Sequence, residues 1–390
     1  MDHGPRAVEI LELNPLPTHA MFGDLYQGKK VLVTGHTGFK GAWLCEWLLQ
    51  LGAEVSGYSQ PPPTQPSLFD ALALSTRLRD QRGEITDAPA VANWIAQEQP
   101  DILFHLAAQP LVRASYQLPL ATFATNVLGT VAVLEAVRLS RRPCAVVVVT
   151  TDKCYHNREW LHAYREEDRL GGHDPYSASK ACAELAVASY QKSFTSSHGL
   201  NVCTARAGNV IGGGDWAADR IVPDCMKALA RGEAITVRNP AQTRPWQHVL
   251  EPLGGYLWLG ALLTRPELLG QPDAAVFRSP FNFGPQFEAN RPVRDVVEEI
   301  LKHWPGAWQH VAQANAPHEA GLLNLTIDKA RHRLGWQPVW NFTQAIAETT
   351  CWYRQIHTGT ATARELTARQ IADYMAAAQQ AGVAMPRTAK

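Results

Sequence analysis

Residues 30–51 read as a short apolar strand, a glycine-spaced turn and an amphipathic helix. This order constrains the fold more than any other feature of the chain. The strand KVLVT is rich in β-branched residues, Gly35, Gly38 and Gly41 follow at three-residue spacing, and apolar residues recur at 39, 43, 44, 47, 48 and 51. Glycines between a strand and a helix let the backbone approach a pyrophosphate, whose charge then meets the helix's first amides and dipole. The pattern G-x-x-G-x-x-G has a first gap one residue longer than the commonest dinucleotide fingerprint, and taken alone it also fits a tight turn.

The alternation continues along the chain. Strands are expected at 53–59, 78–83, 101–106, 145–151 and 201–206, with helices at 87–97, 119–139 and 175–194 between them. The proline-rich PPPTQPSLFD (61–70) reads as a loop. Strands separated by helices in this way form βαβ units. The expected fold is therefore α/β: a Rossmann-type, doubly wound parallel sheet covered on both faces. Residues 28–208 form this cofactor domain. Beyond Gly208 the rhythm degrades, which predicts a smaller mixed substrate-binding lobe over 209–355, with 276–284 returning to the sheet. Residues 1–27 are expected to be a tail, and 356–390 a C-terminal helix and tail.

Composition narrows the function class. The 36 basic and 36 acidic side chains balance without segregating, so the chain lacks the broad positive field that nucleic acid or an anionic membrane requires. The seven cysteines are odd in number and show no C-x-x-C spacing, which predicts free buried thiols. No His, Asp or Glu cluster has metal-ligand spacing. The N-terminal segment carries acids and prolines where a signal peptide needs an apolar run. The longest apolar stretch, Leu253–Leu263, is short for a membrane span and broken by glycine. A cytoplasmic protein that handles a small molecule is expected.

Two residue pairs carry candidate chemistry. Tyr176 and Lys180 lie four apart near a helix start and share one face. A phenol with a pKa of about 10 is a poor base at neutral pH, but a neighbouring ammonium favours the phenolate. Asp152 and Lys153 end the apolar strand AVVVV, where open α/β sheets place their chemistry. Asp152, if held neutral, can donate a proton to a leaving hydroxyl. Lys153 can remove a carbon-bound proton if its pKa is depressed; moving it from about 10.4 to about 7.5 corresponds to roughly 4 kcal/mol. A surface ion pair is the plain alternative for these two.

The acid that usually grips the cofactor ribose at the end of the second strand is missing. Gly57, Tyr58, Ser59 and Gln60 stand there, Glu54 lies upstream, and no arginine takes its place to favour a 2′-phosphate. NAD bound with reduced affinity is expected.

With these residues placed, the chain resembles the extended short-chain dehydrogenases/reductases, and among them the CDP-glucose 4,6-dehydratase family. The likeness rests on GHTGFKG (35–41), HLAAQPLVR (105–113), TNVLGT (125–130), TTDKCYHNREW (150–160), GGHDPYSASK (171–180), ARAGNVIGGGDW (205–216) and RPWQHVLEPL (244–253). It runs from about residue 22 to residue 353. The Thr-Asp-Lys form of the acid–base pair is the discriminating string.

The resemblance implies an NAD-dependent lyase that oxidises CDP-glucose at C4, eliminates water across C5 and C6, and reduces C6, in deoxysugar and surface polysaccharide synthesis. Tyr176 would take the 4-hydroxyl proton with Thr151 bonded to the 4-oxygen, while Lys180 would hold the nicotinamide ribose. Lys153 would deprotonate C5 and Asp152 would protonate the departing 6-hydroxyl. Cofactor contacts would come from Gly35, His36, Thr37, Gly38, Phe39, Lys40, Gly41, Glu84, Ile85, Ala107, Ala108, Gln109 and Asn126. Substrate contacts would come from Gln109, Asn209, Arg220, Arg238, Arg244, His248, Arg291 and Glu319, the arginines suiting a diphosphate by their planar fork. A homodimer, or a dimer of dimers, would pair the helices near 119–139 and 175–194. Two other classes remain open at this point: a nucleotide-sugar 4-epimerase, which needs no Asp152–Lys153 pair, and a dinucleotide sensor without turnover.

Overall fold

Seven strands form one parallel sheet in a computed structural model that describes residues 21–311 and 322–386. They are β1 (Lys30–Thr34), β2 (Glu54–Ser59), β3 (Arg79–Arg82), β4 (Ile102–His105), β5 (Ala145–Val149), β6 (Asn201–Ala207) and β7 (Pro280–Phe283), in spatial order 7-6-5-4-1-2-3. The expected return of the chain near 276–284 is β7, paired in parallel with β6. The order reverses between β1 and β4, so a crevice opens beyond their carboxyl ends.

Alternation along each strand feeds two cores. Val31, Val33, Ile102, Phe104, Val147 and Val149 join one, whereas Leu32, Leu103, Val146 and Val148 join the other. The second core is closed by α2 (Ala88–Glu98), α3 (Pro119–Ser140) and α4 (Pro175–His198). Asp87 caps α2 by accepting from the Ala90 amide, and Pro89 sits in its first turn. One turn of α3, Ala124–Leu128, is a π-turn, and it carries Asn126. Among the described residues, α3 has the length and mean hydropathy (1.6) of a membrane span. It lies half buried against α2 and α4.

The first core is closed by α1 (Phe39–Gln50) and α5 (Leu250–Thr264), and here several expectations change. α5 falls within the stretch read as the second lobe, yet it packs on β4, β5 and β6, because all fifteen of its residues except Thr264 are buried. Residues 21–26 are not a tail: Phe22 sits 5.8 Å from Trp47, and the Tyr26 hydroxyl donates to the Leu257 carbonyl at 2.6 Å. Residues 1–20 lie outside the described residues. The proline-rich segment ends in a short helix, Leu68–Ala71, that Ser67 caps, and it buries Leu68 and Phe69. Glu54, read as preceding β2, is its first residue.

The C-terminal helix α6 (Ala363–Gln380) opens on a Thr362–Glu365 capping box and buries Leu366, Ile371, Tyr374 and Met375 against the body. All seven cysteines are free; five are buried and Cys182 and Cys351 are partly so. No metal-ligating cluster is found among the described residues.

Candidate active site

One large cleft lies over the switch point, walled by the glycine turn, the ends of β4 and β5, the start of α4, and the segment 208–246. At its floor the turn is built as a cradle. Gly35 has φ +74°, and a Cβ there would lie 2.6 Å from the Ala107 amide nitrogen. A Cβ on Gly41 would collide with the Gly35 carbonyl. Gly35 and Gly41 are therefore required by close backbone approach, and the residues present fit a dinucleotide pyrophosphate. Thr37 ties the turn to the end of β2 through Ser59 (2.7 Å) and the Gln60 carbonyl (3.0 Å).

Gly38, Phe39, Lys40, Ile85, Ala107, Ala108 and Gln109 line the same cleft. Burial, with the Arg220 charge beside it, lowers the Lys40 ammonium to about 8. His36 does not face the cleft. Its ring is buried beneath Gly57, its Nε2 lies 2.8 Å from Asp80 Oδ1, and burial lowers its pKa. Asn126 also stands behind the wall, accepting from the Gln109 amide (2.9 Å) and donating to Ser179 Oγ (2.8 Å).

An acid does stand near the end of β2, although another strand carries it. Glu84, which follows β3, accepts from the Gln60 side-chain amide at 2.6 Å and, unlike Gly83 and Ile85 on either side of it, does not line the cleft. An arginine is present there too. Arg82 donates to the Gln60 carbonyl (3.1 Å) but is engaged by Asp80 (2.7 Å).

The two candidate pairs meet in this cleft. Thr151–Cys154 forms one short turn after β5: Thr151 Oγ1 donates to Asp152 Oδ1 (3.0 Å), and Lys153 Nζ lies 4.0 Å from the same oxygen. Asp152 is buried, and its Oδ2 has no hydrogen-bond partner. A Cβ at Gly208 would reach within 2.8 Å of that oxygen, so the glycine leaves room for the carboxyl.

Across from it, α4 starts on an Asp174 cap that accepts from Ser177, which presents Tyr176 and Lys180 on one face. Lys180 Nζ donates to the Val149 carbonyl (3.1 Å), and burial lowers its ammonium to about 8. Tyr176 differs from expectation. Burial pushes its phenol up to about 12, against a hydrogen bond with Thr151 that lowers it. The free protein therefore keeps Tyr176 protonated.

Arginines stand over the open side. Arg220 donates to Asp215 (2.7 Å), while Arg238 (2.9 Å) and Arg113 (3.4 Å) share Asp219; Arg244 and Asn209 line the cleft beside them. Arg113, Asp215 and Asp219 were missed in sequence, although all three occur in strings that carry the resemblance or directly follow one; nothing local pairs Arg113 with a residue 106 positions away.

Two expected substrate residues fall elsewhere. His248 is buried between Trp43 and Trp340, and burial holds it down to about 3. Arg291 pairs in register with Arg244 but turns to the Glu288 carbonyl (2.7 Å) and Asp295 (3.8 Å), outside the lining of the cleft. Glu319 lies outside the described residues.

A family model described as GDP-mannose 4,6 dehydratase matches residues 32–259. The chain is 43% identical over 361 residues to a CDP-glucose 4,6-dehydratase of Salmonella typhimurium, covering 91% of this chain and 98% of that one. The dTDP-glucose 4,6-dehydratase DesIV of Streptomyces venezuelae, solved with NAD bound, superposes with a TM-score of 0.71 at 23% identity, over 84% of this chain and 98% of that one. A UDP-glucose 4-epimerase of Thermotoga maritima superposes with a TM-score of 0.69 at 19% identity, over 84% and 99%. Solved proteins named as a dehydratase and as an epimerase thus share this fold, so the fold alone does not separate the two reactions.

Proposed function

The chain belongs to the GDP-mannose 4,6-dehydratase family, and from that premise we propose that it is a hydro-lyase converting CDP-glucose to CDP-4-dehydro-6-deoxyglucose with NAD. The observation that carries the reading is the placement of Asp152–Lys153 and Tyr176–Lys180 in one cleft. A 4-epimerase has work only for the second pair.

Gly35, Gly38 and Gly41 would hold the pyrophosphate, Ile85 and Ala107 the adenosine half, and Lys180 the nicotinamide ribose. NAD, when bound, supplies the hydride acceptor for C4 and the hydride donor for C6. Tyr176 Oη accepts the proton of the 4-hydroxyl, with Thr151 Oγ1 on the same oxygen. Since burial disfavours the phenolate, Tyr176 relies on added positive charge in the loaded cleft to act as a base. The 4-ketone acidifies C5–H. Lys153 Nζ takes that proton, and Asp152, through its unpartnered Oδ2, protonates the 6-hydroxyl as it leaves. A proton then returns to C5, and one water is lost without net oxidation. Arg113, Arg220, Arg238 and Arg244 would bind the diphosphate.

A two-fold homodimer, or a dimer of dimers, in the cytoplasm belongs to this reading. Supporting it, Leu118, Leu120 and Leu128 near or on α3 and Leu185 on α4 are exposed.

The test is incubation with CDP-, UDP-, GDP- and dTDP-glucose in the presence of NAD. A 4-keto-6-deoxy product from CDP-glucose is expected. Product only from another base would overturn the specificity, and a C4 epimer would overturn the reaction class.

A further inference from the structure

The turn that carries the elimination residues, Thr151–Cys154, is slung between Thr150 and Tyr155, and both flanking side chains end on one buried ion pair. Glu184 Oε1 accepts from Thr150 Oγ1 (2.5 Å) and Arg206 Nε (3.0 Å). Its Oε2 accepts from Thr204 (2.7 Å) and the Arg206 guanidinium (2.8 Å). Arg206 reaches on to the Tyr155 hydroxyl (2.7 Å) and the Glu166 carbonyl (3.0 Å), and it lies 4.9 Å over the Tyr155 ring. Tyr155 in turn donates to Asn282 Oδ1 on β7 (2.7 Å). Glu184 and Arg206 side chains are each 3% exposed.

Desolvating two charges this far inside is expensive, and apolar packing often stabilises a core better, so the pair is weak as a source of stability. Its connections point to geometry instead. Glu184 sits one turn beyond Lys180 and two beyond Tyr176 on α4, so a single carboxylate joins the helix bearing the oxidising residues to the strand end bearing the eliminating ones. We propose that Glu184–Arg206 is a positioning pair that clamps Thr150 and Tyr155, and thereby sets Lys153 against C5 and Asp152 against the 6-hydroxyl once C4 has been oxidised. This rests on the dehydratase reading above.

The test uses Tyr155→Phe and Thr150→Val, each of which removes one hydroxyl from the clamp at nearly constant volume, with Thr150→Ser as the control that keeps it. Both variants should lose about ten- to a hundredfold in kcat, as expected for misplacement of reacting groups from a distance. KM for CDP-glucose should stay within about twofold, and Thr150→Ser should restore kcat. Deuterium at substrate C5 should slow the variants more than the parent protein, and deuterium at C4 should slow them less, because elimination becomes limiting. Unchanged kcat in both variants, or a loss with both isotope effects at parental values, would overturn the clamp. Failure of the parent protein to turn over CDP-glucose would instead overturn the dehydratase reading.

Discussion

The two walls of the cleft are held by opposite means. On the sheet side, Thr150, Thr151, Asp152, Tyr176 and Lys180 are buried, and their positions are set by strand ends, a helix start and a polar network reaching to β7. On the lobe side, Arg220 and Arg238 keep about a third of their side-chain surface exposed and reach the carboxylates of Asp215 and Asp219. Proton transfer demands reacting atoms at fixed distances before the sugar arrives. A diphosphate demands only cations that can exchange a carboxylate for a phosphate.

The largest effect should come from the rigid wall. Lys153→Met and Asp152→Asn are each expected to lower kcat by about a thousandfold, within the range for a lost general acid or base, with little change in KM. Hydrogen exchange at C5 during turnover checks this; exchange that survives Lys153→Met would break the comparison at its base. The lobe wall should answer differently. Arg238→Ala is expected to raise KM for CDP-glucose about ten- to a hundredfold while kcat stays within a few-fold, the worth of one charged hydrogen bond. An equal fall in kcat would show that this wall is as preorganised as the other.

A smaller effect tests what deep burial costs. Glu251 accepts from the Val339 and Trp340 amides and from Tyr374, and burial raises its carboxyl to about 7. Unfolded, it ionises near about 4.3. Between these values the folded chain holds a proton that the unfolded chain has released. This contribution to stability is therefore full in acid and is lost as pH rises to about 7, by up to roughly 3 kcal/mol. Urea unfolding at pH 5 and pH 7.5 should show that decline, and Glu251→Gln should flatten it. The least effect is expected from Arg291→Ala, which should leave KM within about twofold, since its side chain turns to Glu288 and Asp295.

The same contrast explains what was legible in sequence. Strand–glycine–helix order and the Tyr176–Lys180 and Asp152–Lys153 pairs are local patterns, and local geometry fixes where such side chains point. His36 and His248 were misread because nothing adjacent in sequence shows that Gly57 makes room for one ring and two tryptophans enclose the other. α5 falls within the stretch assigned to the second lobe for a related reason. A helix apolar on every side carries no period that says which surface it covers. Arg82 and Arg113 act through neighbours brought by other strands or by the second lobe, which spacing along one chain does not encode.

The central claim is that a base in this cleft removes the C5 proton of the sugar after C4 has been oxidised. Turnover of CDP-glucose with NAD in deuterium oxide tests it directly. The account predicts a 4-keto-6-deoxy product carrying solvent deuterium at C5. A product with protium retained at C5, or a sugar still bearing its 6-hydroxyl, would contradict it.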